Sequence, residues 1–194
     1  MASNSIITNI NSTKFLGLTI DCTLSWREHI SCLTLKLNKA CYAIRAIKPF
    51  MSPSVLRTVY FSYFHSLMSY GVIFWSNSHL NNNIFKIQKR IIRILANKGK
   101  HDSCRNLYKK LQILTLSSQY IFSLLIFVVR YKDLFLFNFE IHDINTHFNY
   151  NLHLPTTNLT LVQKGVLTLE AESTTIYHLI LKGLLMTLNN LKLN

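Results

Sequence analysis

Between Glu28 and Ile47 the apolar residues Ile30, Leu33, Leu37, Ala40, Ile44 and Ile47 recur at alternating intervals of three and four. That period lays them on one stripe of an α-helix, whereas in a strand it would scatter them over both faces. A helix with such a stripe must be covered by other helices or a sheet, and the chain offers mainly helices. Ser52 and Pro53 have the composition of a helix start, a capping hydroxyl followed by proline in the first turn. Val55, Leu56, Val59, Tyr60, Tyr63, Phe64, Leu67 and Met68 follow at helical spacing, with Gly71 placed to end the helix in the left-handed conformation. A third helix is expected from about Asn83 to Ala96, with the stripe Ile84, Ile87, Ile91 and Ile94. Ser103 would cap a short helix that turns Leu107, Tyr108 and Leu111 inward, and Ser117 would cap an apolar helix from Ser118 to Phe135.

The N-terminus reads differently. Ser5–Ile10 and Lys14–Ile20 have strand character, and in the second Leu16, Leu18 and Ile20 alternate with Phe15, Gly17 and Thr19. Asn11, Ser12 and Thr13 suit a turn between them. After Phe139 the periodicity weakens into a polar stretch with Pro155, and a helix is compatible only with Thr174–Leu188. The expected fold is therefore mainly α: an N-terminal β-hairpin over residues 1–25, a helical bundle of about five helices over 26–139, and an irregular C-terminal arm over 140–194.

Composition excludes several classes. With 49% hydrophobic and 15% charged residues, the 194-residue chain is no candidate for intrinsic disorder. Its most apolar run, Tyr120–Val129, is about half the roughly 20 residues that a membrane span needs, and is expected to be a buried core helix. Met1–Thr8 lacks the basic start and apolar run of a secretory signal. Cys22, Cys32, Cys41 and Cys104 form no CxxC pair, so buried free thiols in an intracellular, reducing compartment (cytoplasm or nucleus) are expected, with no structural zinc.

No catalytic constellation is evident. The chain contains no Asp-Asp pair of the kind that holds two metal ions for phosphoryl transfer, and no GxxxxGK[ST], GxGxxG or GxSxG motif. His142, His147 and His153 lack an HExxH motif or a cysteine partner, so no metal and no cofactor is expected, and a solvated loop is the simpler reading. Cys41 falls on the apolar side of its helix, where small thiols are ordinary.

Charge is the functional clue. The chain carries 21 Lys and Arg against 8 Asp and Glu, a formal net charge of +13. The excess lies entirely within residues 1–110, where the only acids are Asp21, Glu28 and Asp102. A cationic field of this kind suits phosphate backbones, from which it displaces counterions. Opposite the isoleucine stripe of the third helix stand Lys86, Lys89, Arg90 and Arg93, a cationic ridge at i, i+3, i+4 and i+7, and Lys36 and Lys39 lie off the stripe of the first helix. The same pattern also describes the solvated face of any amphipathic helix.

Four segments also resemble a known family, in order and spacing. TKFLGLTIDCTLSWREHI, residues 13–30, resembles the stretch after the catalytic palm in reverse transcriptases of non-LTR retrotransposons, the jockey-type elements in particular, through Phe15, Leu16, Gly17, Trp26, His29 and Ile30. Tyr70, Gly71 and Trp75 resemble that family's Tyr-Gly-x-x-x-Trp stretch. Gln88, Lys89, Arg90, Ile91 and Arg93 resemble its Gln-Lys-Arg helix, and residues 102–121 its following segment. The likeness covers about residues 13–166 and does not extend to Leu167–Asn194.

The resemblance implies a primer-grip strand at Phe15, Leu16 and Gly17, a thumb opening at Trp26, and an RNA template with a DNA primer as partners, alongside a palm and fingers portion of the polymerase. The family's Tyr/Phe-x-Asp-Asp site is absent from this sequence, so no polymerase activity is implied for the chain alone. A thumb grips a duplex by its backbone, which agrees with the basic helices read from the residues themselves. The alternative is a helical interaction module that docks on a protein partner through its apolar faces.

Overall fold

A computed structural model describes residues 10–131, together with Ile141. The chain divides into two compact units, Met1–Tyr120 and Ile121–Asn194. The expected arm over 140–194 and the helix at Thr174–Leu188 lie outside the described residues, apart from Ile141.

The first unit opens with a hairpin, β1 (Ser12–Phe15) and β2 (Leu18–Asp21), antiparallel with Ser12 opposite Asp21 and Phe15 opposite Leu18. This corrects the expected register. Asn11–Thr13 leads into and forms strand, with the Cys22 amide donating to the Asn11 carbonyl at 3.0 Å, and the turn is Leu16–Gly17. A two-residue loop matches the twist of its strands when both residues have positive φ, and here Leu16 (φ 46°) and Gly17 (φ 81°) both do. The Tyr70 hydroxyl donates to the Leu16 carbonyl and so ties the turn to the helical layer.

β2 passes into α1 (Arg27–Ile47) through a loop organised by Asp21. Its carboxylate accepts from the Thr23 hydroxyl at 2.7 Å, from the Ser25 hydroxyl and amide, and from the Trp26 amide at 3.1 Å. Burial opposes the charge, but these donors prevail and hold the carboxyl at about 2. Leu24 and Trp26 sit at positive φ within this loop. Along α1 the predicted stripe is buried from Ile30 to Ile44, and Ile47 is half-buried.

The Ser52 hydroxyl caps α2 (Pro53–Val59) by accepting from the Val55 amide, as its composition suggested. The helix then continues through a π-helical segment, Tyr60–His65, into α3 (Ser66–Ser69). Leu56, Tyr60, Phe64 and Met68 are buried, one every fourth residue. In a regular α-helix each four-residue step rotates by about 40°, so this line would leave the core within three steps. The wider π turn takes up that drift, and it allows Tyr60 and Phe64 to stack at 5.4 Å. Tyr63, expected inward, is exposed within that turn, and Val55, also expected inward, is exposed in the first turn of α2 ahead of it.

Gly71 has φ 59°, as expected of a residue that ends a helix, and it also serves the hairpin. A Cβ there would stand 2.8 Å from Leu18 Cδ2, so only glycine lets β2 pack this closely. After α4 (Val72–Trp75) and a short connection comes α5 (Asn81–Leu95), which packs along α1. Trp75 is fully buried and donates from Nε1 to the Tyr70 carbonyl; Trp26 packs half-buried beside His29 and Phe74. Both tryptophans are thus packing residues. α6 (Arg105–Leu111) buries Leu107 and Tyr108. Arg57 donates from Nε to the Leu111 carbonyl at 3.1 Å, placing a cation at the C-terminal end of α6.

The last described helix is α7 (Leu116–Arg130). Its capping side chain is Thr115, whose hydroxyl accepts from the Ser118 amide at 3.2 Å, rather than Ser117. Nor is it a wholly buried core helix: Leu124 is buried, but Phe122, Ile126 and Val129 are exposed along one line. Among the described residues no single helix is long and apolar enough to cross a membrane; only α6 and α7 taken as a pair reach that length and composition.

Candidate nucleic-acid interface

α5 carries the ridge. Ile84, Ile87, Gln88, Ile91 and Ile92 are buried on its inner side, and Lys86, Lys89, Arg90 and Arg93 lie on the opposite arc. Lys86 and Arg90 are exposed, Lys89 and Arg93 half-buried. Among the described residues none of the four forms an ion pair with a carboxylate. Arg90 reaches across to α1 and donates from Nη1 to Asn38 Oδ1 at 3.0 Å. Arg93 donates from Nε to the backbone carbonyl of Asp102 at 2.8 Å, which fixes its stem and leaves the rest of its guanidinium free of carboxylates. The Lys89 ammonium stands 4.2 Å over the Phe85 ring.

Behind the ridge the helix is locked by Gln88, a side chain with no exposed surface. Its Nε2 donates to the Leu114 carbonyl at 2.9 Å, and its Oε1 accepts from the Leu116 amide at 2.9 Å and from the Tyr108 hydroxyl at 3.3 Å. One amide therefore joins α5, α6 and the connection into α7. The Tyr60 hydroxyl approaches the same amide without hydrogen-bond geometry, and burial pushes its pKa up to about 12. Burial also raises the pKa of Tyr108. These phenols are neutral fixtures of the core, not acid–base groups. The position was legible as part of a Gln-Lys-Arg run, but its burial was not, because periodicity assigns the inner stripe to isoleucines alone.

Two concavities collect four further cations. Between α5 and α6 lies an open groove of about 880 Å³, with Lys89 and Arg93 on one side and Arg105 and Lys109 on the other. Arg105 and Lys109 were missed in the sequence; they lie on the exposed side of a helix whose buried residues alone drew attention. The second, about 410 Å³, lies between the hairpin and α1 and is lined by Lys14, Lys36, Gly17 and His29 among others. Here His29 is buried, accepts at Nδ1 from the Thr19 amide, and among the described residues has no partner for Nε2; burial first, and then the Lys36 charge, lower its pKa.

The predicted site residues therefore fall into separate groups. Lys86, Lys89, Arg90 and Arg93 share one arc. Lys36 belongs to the hairpin side of α1, away from Asn38 and Arg90, since residues two apart on a helix face different ways. Lys39 is exposed. Phe15 ends β1 with 60% of its surface exposed, and Leu16 and Gly17 form the turn rather than continuing a strand.

Of the thiols, Cys41 and Cys104 are buried as expected, whereas Cys22 and Cys32 are exposed. Burial raises the Cys41 pKa to about 11 despite Arg90 and Arg45 nearby, which suits a packing role. Among the described residues no cluster of three metal-ligating side chains occurs, and His142, His147 and His153 lie outside them. Comparison with protein-family models, with curated proteins and with solved structures gives no match in any of the three.

Proposed function

We propose that the chain is a non-catalytic, thumb-like part of a retrotransposon-type RNA-directed DNA polymerase, and that it holds template–primer nucleic acid by its backbone through the outer arc of α5. The observation that carries this reading is the ridge itself: four cations on one arc, opposite the buried face, with no carboxylate against them among the described residues. Phosphate contacts of this kind position a duplex without reading its sequence. The order of family-like segments supports the reverse-transcriptase assignment, with the palm and fingers as the remaining polymerase partners.

The test is a salt titration of binding to a fluorescein-labelled RNA–DNA hybrid. Four phosphate contacts give a slope of log affinity against log salt near 3.6, at about 0.9 per contact. Replacing Lys89, Arg90 and Arg93 together by Gln is expected to reduce the slope by about 2.7 and to weaken binding about 100-fold at low salt. A slope near zero in the parent chain, or an unaffected triple variant, refutes the reading. A second reading, docking on a protein through apolar helix faces, draws on exposed Phe122, Ile126 and Val129 of α7, and it calls for binding that salt leaves nearly unchanged.

A further inference from the structure

The groove between α5 and α6 differs from the ridge in shape and in lining. Each wall supplies a pair of cations one helical turn apart, Lys89 with Arg93 and Arg105 with Lys109. Each pair spans about 6 Å along its helix. The acid in the lining is Asp102, and one of its carboxylate oxygens already accepts the Gly99 amide at 2.9 Å. Apolar surface comes from Phe85 on the α5 wall, whose ring lies under the Lys89 ammonium, and from Leu114, 44% exposed, which lies beside polar Gln112, Thr115 and Ser118. Charged edges and a floor of mixed apolar and polar groups make an amphipathic slot. Its volume, about 880 Å³, lies within the range of concave ligand sites.

Along its length a duplex keeps its base faces stacked inside and shows phosphates, sugars and the base edges of its grooves, so it can touch the edges of such a slot but has no base face to lay on the floor. A single strand can turn its bases onto the floor while its phosphates stay with the flanking cations. We infer that the α5–α6 groove binds single-stranded nucleic acid, with Arg105 and Lys109 as the phosphate-holding residues that the duplex-facing ridge does not include. This inference rests on the nucleic-acid reading above and divides that surface in two: Lys86 and Arg90 face duplex, while Lys89 and Arg93 stand at the boundary.

The experiment compares two variants of the full chain, R105Q/K109Q in the groove and K86Q/R90Q on the outer ridge. All four side chains are exposed, so both variants are expected to fold as the parent does. Binding is read by fluorescence anisotropy on labelled twelve-nucleotide oligothymidine, on oligouridine of equal length, and on a blunt duplex. The expected result is that R105Q/K109Q weakens binding of at least one single strand about tenfold or more. The same variant should change duplex binding by about twofold or less, and K86Q/R90Q should show the reverse order. Equal weakening of both kinds of probe by R105Q/K109Q overturns the inference, as does a groove variant that spares both single strands. If K86Q/R90Q still loses duplex binding in that case, the backbone-holding function stands and only the assignment of the groove falls. A parent chain that binds none of the probes removes both.

Discussion

Gln88 and Asp21 perform comparable tasks in different surroundings. Each holds a connection that leaves regular structure: Gln88 the passage from α6 into α7, Asp21 the passage from β2 into α1. Gln88 has no exposed surface, and an amide serves there because it donates and accepts without carrying charge. Asp21 is near the surface, where water offsets the cost of a full charge and a carboxylate can gather several donors at once. The difference bears on function. The helix carrying the cationic arc is anchored from inside by a neutral group, so none of the four cations of its outer face is drawn into that anchor. At the hairpin the carboxylate is spent on the loop, and the cations Lys14 and Lys36 line a separate cavity between the hairpin and α1.

Three substitutions probe this contrast. Gln88→Leu keeps the volume and removes the amide, stranding the Leu116 amide, the Leu114 carbonyl and the Tyr108 hydroxyl in the core. A loss of about 3–4 kcal/mol in urea unfolding is expected, and a loss below about 1 kcal/mol would show that the interior anchor matters no more than a surface one.

Gly71→Ala tests how firmly the hairpin is seated on the helices. Positive φ and the 2.8 Å approach of Leu18 both oppose a methyl group there. The expected cost is about 2 kcal/mol, read from the same unfolding curves.

Asp21→Asn keeps the shape of the surface anchor and removes its charge, with an expected cost of about 1 kcal/mol. The pH profile sharpens this last case. Asp21 is held at about 2 against an ordinary 3.8, so its stabilisation is complete above the unfolded value and is lost as pH falls through about 2. The Asn variant should therefore lose less stability than the parent between pH 4 and pH 2, by guanidinium unfolding at each pH. Parallel profiles would mean that the carboxylate charge contributes nothing to the loop.

The helical part of the fold was legible where one period ran unbroken. α1 and α5 follow their stripes, Ser52 caps as its composition suggests, and the cations of α5 fall on one arc because a regular helix converts spacing directly into direction. The hairpin turn was misplaced, because Asn11–Thr13 has turn composition whereas Leu16 owes its positive φ to the glycine beside it and to the Tyr70 hydroxyl 54 residues away. The line Leu56, Tyr60, Phe64 and Met68 was blurred by adjacent apolar residues, because a π turn changes the period partway along the helix.

Sequence alone determined that this chain forms amphipathic helices and that its excess positive charge lies within residues 1–110, since both follow from local spacing and counting. The tertiary structure decided which cations share a surface. Arg105 and Lys109 join Lys89 and Arg93 only because α6 folds back beside α5, and Arg90 meets Asn38 only because α5 packs along that side of α1. Contacts between residues far apart in the chain depend on how buried faces pack, and the order of residues along one helix does not contain that information.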